Sequence, residues 1–162
     1  MKKTLLISSL LLGLSNTTLA AEITRYGGGS FPIAAAVEVD GIVYESGKVP
    51  EPKDVNAEKF SAAYWGDTEA QTISVMERIK DSLESKGMGI ADIVKMTAFL
   101  VGDPALEGKM DFEGFMRGYT RYFGEAAKQP NLPARSTVQI ASLVRPGMLV
   151  EIEVIAVRPK AK

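Results

Sequence analysis

Pro133-Ala134-Arg135-Ser136-Thr137-Val138-Gln139-Ile140-Ala141-Ser142-Leu143-Val144-Arg145-Pro146-Gly147-Met148-Leu149-Val150-Glu151-Ile152 is the stretch on which the fold turns. It reads as one strand, a tight reversal and a second strand, that is, a hairpin. Side chains alternate between faces along a strand. Val138 and Ile140 then point one way, and Arg135, Thr137, Gln139 and Ala141 the other. On the return strand Val150, Ile152, Val154 and Ala156 form an unbroken apolar face. If the two apolar faces share one core, Arg135, Thr137 and Gln139 lie with Glu151 and Glu153 on the far side, beside Leu149, Ile155 and Val157. A sheet face turned to water alternates more cleanly than this. A face half apolar and half charged suits a subunit interface with a site in it.

The chain has 162 residues, no cysteine, no histidine and a formal net charge of -1. That length and apolar content suit one globular domain with room for a core. The balanced charge offers no basic field for a phosphate backbone, so no nucleic-acid partner is expected. Without cysteine there are no disulfides, thiolate nucleophiles or thiolate metal sites. Without histidine there is no imidazole for acid-base work, for a Ser-His dyad or for zinc.

Lys2 and Lys3 precede an apolar run from Leu5 to Leu14 and then Thr18-Leu19-Ala20, the layout of a secretory signal peptide over 1–20. Cleavage is expected between Ala20 and Ala21, with release into the periplasm and no membrane attachment afterwards; the run is too short to span a bilayer. Residues 21–32 are polar and Gly-rich and read as a flexible lead-in. The folded domain is expected over 33–158, followed by a solvated tail, 159–162.

Ala35–Val39, Asp40-Gly41 and Ile42–Ser46 give a hairpin signal, because Asp-Gly supplies the positive φ angles of a type I′ turn. Gly47 reads either as a bulge or as a point of close approach for a ligand. After a polar loop a helix starts near Asp67, with Thr68 and Gln71 spaced as a capping box. Ile73, Met76, Ile79 and Leu83 form its core stripe, and Gly87 stops it. Ile93 to Val101 is a strand. Asp111 to Phe123 is a second helix whose Phe112, Phe115, Met116, Tyr119 and Phe123 make one wide apolar stripe. Asp111 and Glu113 alone are a poor cation cage, and no metal is expected. The order strand, strand, helix, strand, helix, strand, strand predicts an α+β two-layer sandwich, a mixed sheet with two helices on one face. The uncovered face calls for a partner and supports a homo-oligomer.

Pro133-Ala134-Arg135-Ser136, then Val138, Ala141 and Leu143, then Val150-Glu151-Ile152, resemble the signature of the YjgF/RidA family of imine and enamine deaminases. Ser46-Gly47-Lys48-Val49-Pro50 resembles that family's first motif, and the likeness runs from about Phe31 to Val157. The resemblance implies a chorismate-mutase-like fold, a homotrimer and three sites in the subunit clefts. It implies hydrolysis of 2-imino or 2-enamino acids to 2-keto acids and ammonia, with no cofactor. Arg135 would bind the substrate carboxylate and Glu151 would position the attacking water. Ile33, Ser46, Gly47, Met116 and Thr137 would complete the substrate-binding set. Ile33 stands where the family usually has tyrosine, Met116 where it has asparagine and Thr137 where it has cysteine. A structural Arg135–Glu151 ion pair at the oligomer interface, and a binding or chaperone-like trimer without turnover, are the alternative readings.

Overall fold

The computed structural model describes residues 20–27 and 32–160. The expected signal peptide, all but Ala20, lies outside the described residues, as do 28–31 and the end of the tail. Among the described residues six strands form one sheet: β1 (Ile23–Tyr26), β2 (Ala36–Val39), β3 (Ile42–Lys48), β4 (Ile93–Val101), β5 (Ala134–Ile140) and β6 (Val150–Val157), in the order β1-β2-β3-β6-β4-β5. Neighbours are antiparallel except β4 and β5, which run parallel. A short α1 (Ala62–Trp65) precedes α2 (Thr68–Glu84), and α3 (Phe112–Tyr119) joins β4 to β5. The helices and the sheet make the two layers that the element order predicts. Among the described residues no helix is long and apolar enough to cross a membrane.

The core lies between α2, α3 and one sheet face. Val75, Met76, Ile79 and Leu83 of α2 and Phe115 of α3 meet Met96, Ala98 and Leu100 of β4 and Val150, Ile152 and Val154 of β6, all buried. Each large side chain of this set contributes ~1.5–3 kcal/mol by leaving water. The β2–β3 turn has φ of 50° at Asp40 and 82° at Gly41, as the Asp-Gly pair requires. Gly87 adopts φ 71° just past α2, where Met88 N–H returns to Leu83 O at 3.0 Å.

The hairpin reading of Pro133–Ile152 is corrected by the topology. β5 ends at Ile140 and β6 begins at Val150, so nine residues connect them, and the connection passes over β4, which lies between the two strands. The phase of β5 is therefore set by β4. Met96 pairs with both Arg135 and Val154, and Ala98 with both Thr137 and Ile152, so Arg135 and Thr137 share the helix-covered face with the core of β6. Phe99 pairs with both Val138 and Glu151, which puts Val138 on the open face, 43% exposed. As an edge strand, β5 is only partly covered on either side, so its apolar residues do not mark the core face.

Two smaller expectations also change. Ile23–Tyr26, read as part of the flexible lead-in, is an edge strand with no buried face to reveal it in the sequence. It is held by its ladder to β2 and by the Tyr26 hydroxyl donating to Glu38 at 2.5 Å. The cap of α2 is Asp67, whose side chain accepts from Ala70 N at 2.8 Å. Gln71 is instead wholly buried. Its Nε2 donates to Gly66 O and Gly147 O, each at 3.0 Å, and its Oε1 accepts from Leu149 N at 2.7 Å. It therefore ties the β5–β6 connection to the start of α2.

Candidate functional site

The residues singled out in the sequence fall into two groups on opposite sheet faces. The first centres on Arg135, which β5 presents toward the aromatic side of α3. Its guanidinium carbon lies 4.3 Å from the Tyr119 ring centre, 5.0 Å from Phe115 and 6.0 Å from Phe112. Asp111 caps α3 by accepting from Gly114 N at 2.8 Å, and the helical spacing that follows lines up the three rings. Arg135 Nη2 donates to Met116 Sδ at 3.3 Å, a weak acceptor. Arg135 Nη1 and, two residues along the same face, Thr137 Oγ1 are buried with no hydrogen-bond partner among the described residues. Arg135 takes part in no ion pair among the described residues. Aromatic faces attract a guanidinium but satisfy none of its N–H donors, so the group is held in place with hydrogen bonds still to make. Burial pushes the Tyr119 hydroxyl above its ordinary pKa, although Arg135 opposes the shift. The phenol therefore stays neutral beside the cation.

The second group surrounds Glu151 on the open face. The ladder between β3 and β6 shifts register between Glu45 and Lys48, and this bulge brings Gly47 against the Glu151 carboxylate. A Cβ at Gly47 would overlap Oε1 of Glu151, so glycine lets the carboxylate sit there and any larger residue displaces it. Ser46 does not reach the carboxylate. Its Oγ donates to Ala34 O at 2.7 Å and its N–H to Ala35 O at 3.0 Å, which fastens the segment containing Ile33 to the bulge. Ile33 itself is 55% exposed. Burial raises the Glu151 carboxyl above its ordinary pKa, and the like charge of Glu153 raises it further. A carboxyl shifted this way exchanges protons closer to neutrality.

The sequence reading placed Arg135 and Glu151 on one face, whereas the structure separates them, so they form no ion pair within the chain. Arg135, Thr137 and Met116 come together, as do Glu151, Gly47 and the Ser46–Ile33 staple. The aromatic box around Arg135 was not foreseen as part of a site, because rings at helical spacing ordinarily mean core. Phe112 was the available signal: the stripe carries one more aromatic residue than the core accepts, and Phe112 is 43% exposed.

The profile of the endoribonuclease L-PSP family matches residues 30–158. A RutC family protein of Haemophilus influenzae is 36% identical over 127 residues, 78% of this chain and 87% of that protein. A RutC family protein of Pyrococcus horikoshii is 32% identical over 126 residues, 77% of this chain and 86% of that one. Among solved structures, TdcF of E. coli with bound serine is similar at a TM-score of 0.63 and 29% identity, over 83% of this chain and 94% of that chain. A YjgF family member of Neisseria meningitidis gives a TM-score of 0.65 at 26% identity, over 86% of this chain and 98% of that one.

Proposed function

The chain belongs to the endoribonuclease L-PSP family, the YjgF/RidA proteins, and on that premise we propose that it hydrolyses 2-imino and 2-enamino acids to 2-keto acids and ammonia. The observation that carries this reading is the Arg135 guanidinium, held among three rings with a buried Nη1 and, among the described residues, no carboxylate to pair with. An unneutralised, partly buried cation calls for an anion. A guanidinium fork matches a carboxylate in two parallel hydrogen bonds, each contributing ~1.5–3 kcal/mol. Thr137 Oγ1 is a further unused group on that side.

In the proposed homotrimer the Arg135 group of one subunit faces the Gly47–Glu151 group of the next, and the substrate lies between them. Glu151 takes a proton from water as the oxygen attacks C2 of the imine, and the imine nitrogen is protonated. The C–N bond of the resulting carbinolamine then breaks, ammonia leaves and the C2–O bond becomes a carbonyl. An enamine first takes a proton at C3 to become the imine. The carbinolamine hydroxyl gives up its proton, through Glu151, to the departing nitrogen, so the steps are addition of water, proton transfer and expulsion of ammonia, which a carboxyl of raised pKa can serve. The apolar groups at Ile33, Phe112 and Met116 favour substrates with apolar side chains.

The test couples an amino-acid oxidase to the purified protein while semicarbazide traps the imine. Wild type should suppress semicarbazone formation, Arg135→Ala should not, and Arg135→Lys should nearly fail, since an ammonium lacks the fork. Equal suppression by all three would overturn the reading. A second reading, carboxylate binding without turnover, draws on the serine bound to TdcF and on the apolar Met116; it predicts Arg135-dependent affinity with trapping unchanged. The family description names an endoribonuclease, but a chain of net charge -1 without histidine is poorly equipped to hold and cleave RNA. Export to the periplasm is part of the same proposal. A mature N-terminus at Ala21 supports it, and one at Met1 excludes it.

A further inference from the structure

A third group of residues lies at the loop end of the molecule and shares no member with the Arg135 or Glu151 groups. The segment between β3 and α2 folds over the β5–β6 connection and leaves a cleft of about 320 Å³, lined by Phe60, Tyr64, Trp65, Arg78, Arg145 and Met148 among others. Phe60 and Trp65 are nearly parallel, at 20° with centroids 6.3 Å apart, and Tyr64 meets Trp65 edge-on at 4.7 Å. These rings are fixed in place. The Trp65 indole N–H donates to Pro146 O at 2.9 Å, and the buried Gln71 clamps both loops from beneath. Gly147, at φ 77°, passes so close that a Cβ would overlap Phe60 O. Phe60 itself adopts φ 70°, a left-handed backbone that a bulky side chain rarely takes. Such strain persists where the surroundings over-determine it, and it gathers at binding sites.

The charges at the cleft are unequal. Arg78 is already engaged, donating to Val49 O at 2.6 Å and pairing with Glu51 at 3.1 Å. Arg145 lies over the Phe60 ring at 5.8 Å and takes part in no ion pair among the described residues. The cleft thus offers an apolar aromatic wall with one uncommitted guanidinium at its rim. We propose that it binds a small carboxylate with a flat apolar body, an arylalkanoate, whose ring lies against the half-buried Phe60 and Tyr64, above the buried Trp65, and whose carboxylate pairs with Arg145. A cation is disfavoured, because two arginines line the cleft against one carboxylate that Arg78 already neutralises.

Trp65 is the chain's single tryptophan, so its fluorescence reports on this cleft alone. The full mature protein is titrated with phenylacetate, with benzyl alcohol as the uncharged control. Phenylacetate should give a saturable change and benzyl alcohol none. Arg145→Ala should weaken binding at least about tenfold, and Arg145→Lys should fall in between, since it keeps the charge without the fork. Arg135→Ala should leave the titration unchanged. The proposal is overturned by the absence of a saturable change in wild type, by an unaltered titration in Arg145→Ala, or by loss of the signal in Arg135→Ala, which would place the ligand at the other arginine.

Discussion

Gln71→Leu removes the side chain whose hydrogen bonds tie the β5–β6 connection to α2 while nearly conserving volume. Three hydrogen bonds are lost, to Gly66 O, Gly147 O and Leu149 N at 3.0, 3.0 and 2.7 Å, all at a fully buried residue. Each orphaned backbone group costs about 1–3 kcal/mol. The more apolar leucine offsets about 1.5–3 kcal/mol of the total. The net loss should be about 3 kcal/mol, which for a chain of this size lowers Tm by roughly 6 to 12 °C. Thermal unfolding at one fixed protein concentration measures it, because the Tm of the proposed trimer would depend on concentration. Trp65 emission should shift to the red in the same variant, as its partner Pro146 adjoins the freed Gly147. Since the connection leads directly into Glu151, turnover should also fall. A Tm within about 2 °C of wild type, with Trp65 emission unmoved, would refute the assignment of this glutamine as the tie.

Three further outcomes follow from individual contacts. Gly47→Ala must displace the Glu151 carboxylate, so imine hydrolysis should drop at least about tenfold while Tm changes little; unaltered turnover would show that Glu151 need not sit there. Because the folded-state pKa of Glu151 lies above its unfolded value, the native state holds the proton more tightly, and stability declines as pH rises through that range. Glu151→Gln should therefore abolish turnover yet raise Tm at neutral pH, and a lower Tm would contradict the shift. Arg158 donates to Glu38 through Nε and Nη2, both at 2.7 Å, and with the Tyr26 hydroxyl it lowers the Glu38 pKa to about 2. That contribution is complete above the ordinary carboxylate range and is lost as pH falls toward about 2. Hydrogen exchange should show β1 and β2 loosening in that window, and Arg158→Ala should loosen them at neutral pH.

Much of the architecture was legible because periodicity reports burial. Met76, Ile79 and Leu83 of α2, the β6 stripe and the Asp-Gly turn stand where the sequence puts them, whereas Val75 is buried and Ile73 only partly so. Strand neighbours leave a weaker trace. Nothing in residues 141–149 says whether the connection is a tight reversal or a passage over β4, yet that choice decides which face Arg135 occupies. β1 escaped notice because an edge strand is held by backbone pairing, which has no side-chain period. Gln71 was misread for a related reason: the spacing of a capping box is local, whereas its actual partners include Gly147 and Leu149, far along the chain. The residue types of the candidate site could be read in the sequence, but its division between two faces could not.

That division is the centre of the proposed mechanism, and subunit mixing tests it most directly. Arg135→Ala and Glu151→Gln are each expected to be inactive as homotrimers. When they are unfolded together in equal amounts and reassembled, a site that draws Arg135 from one chain and Glu151 from the next is intact wherever the two variants meet in the right order. In a cyclic trimer with random assembly that restores about a quarter of the wild-type rate of imine hydrolysis. Recovery near that level supports a site shared between chains. A mixture as inactive as its parents, from trimers shown to have exchanged subunits, would contradict it.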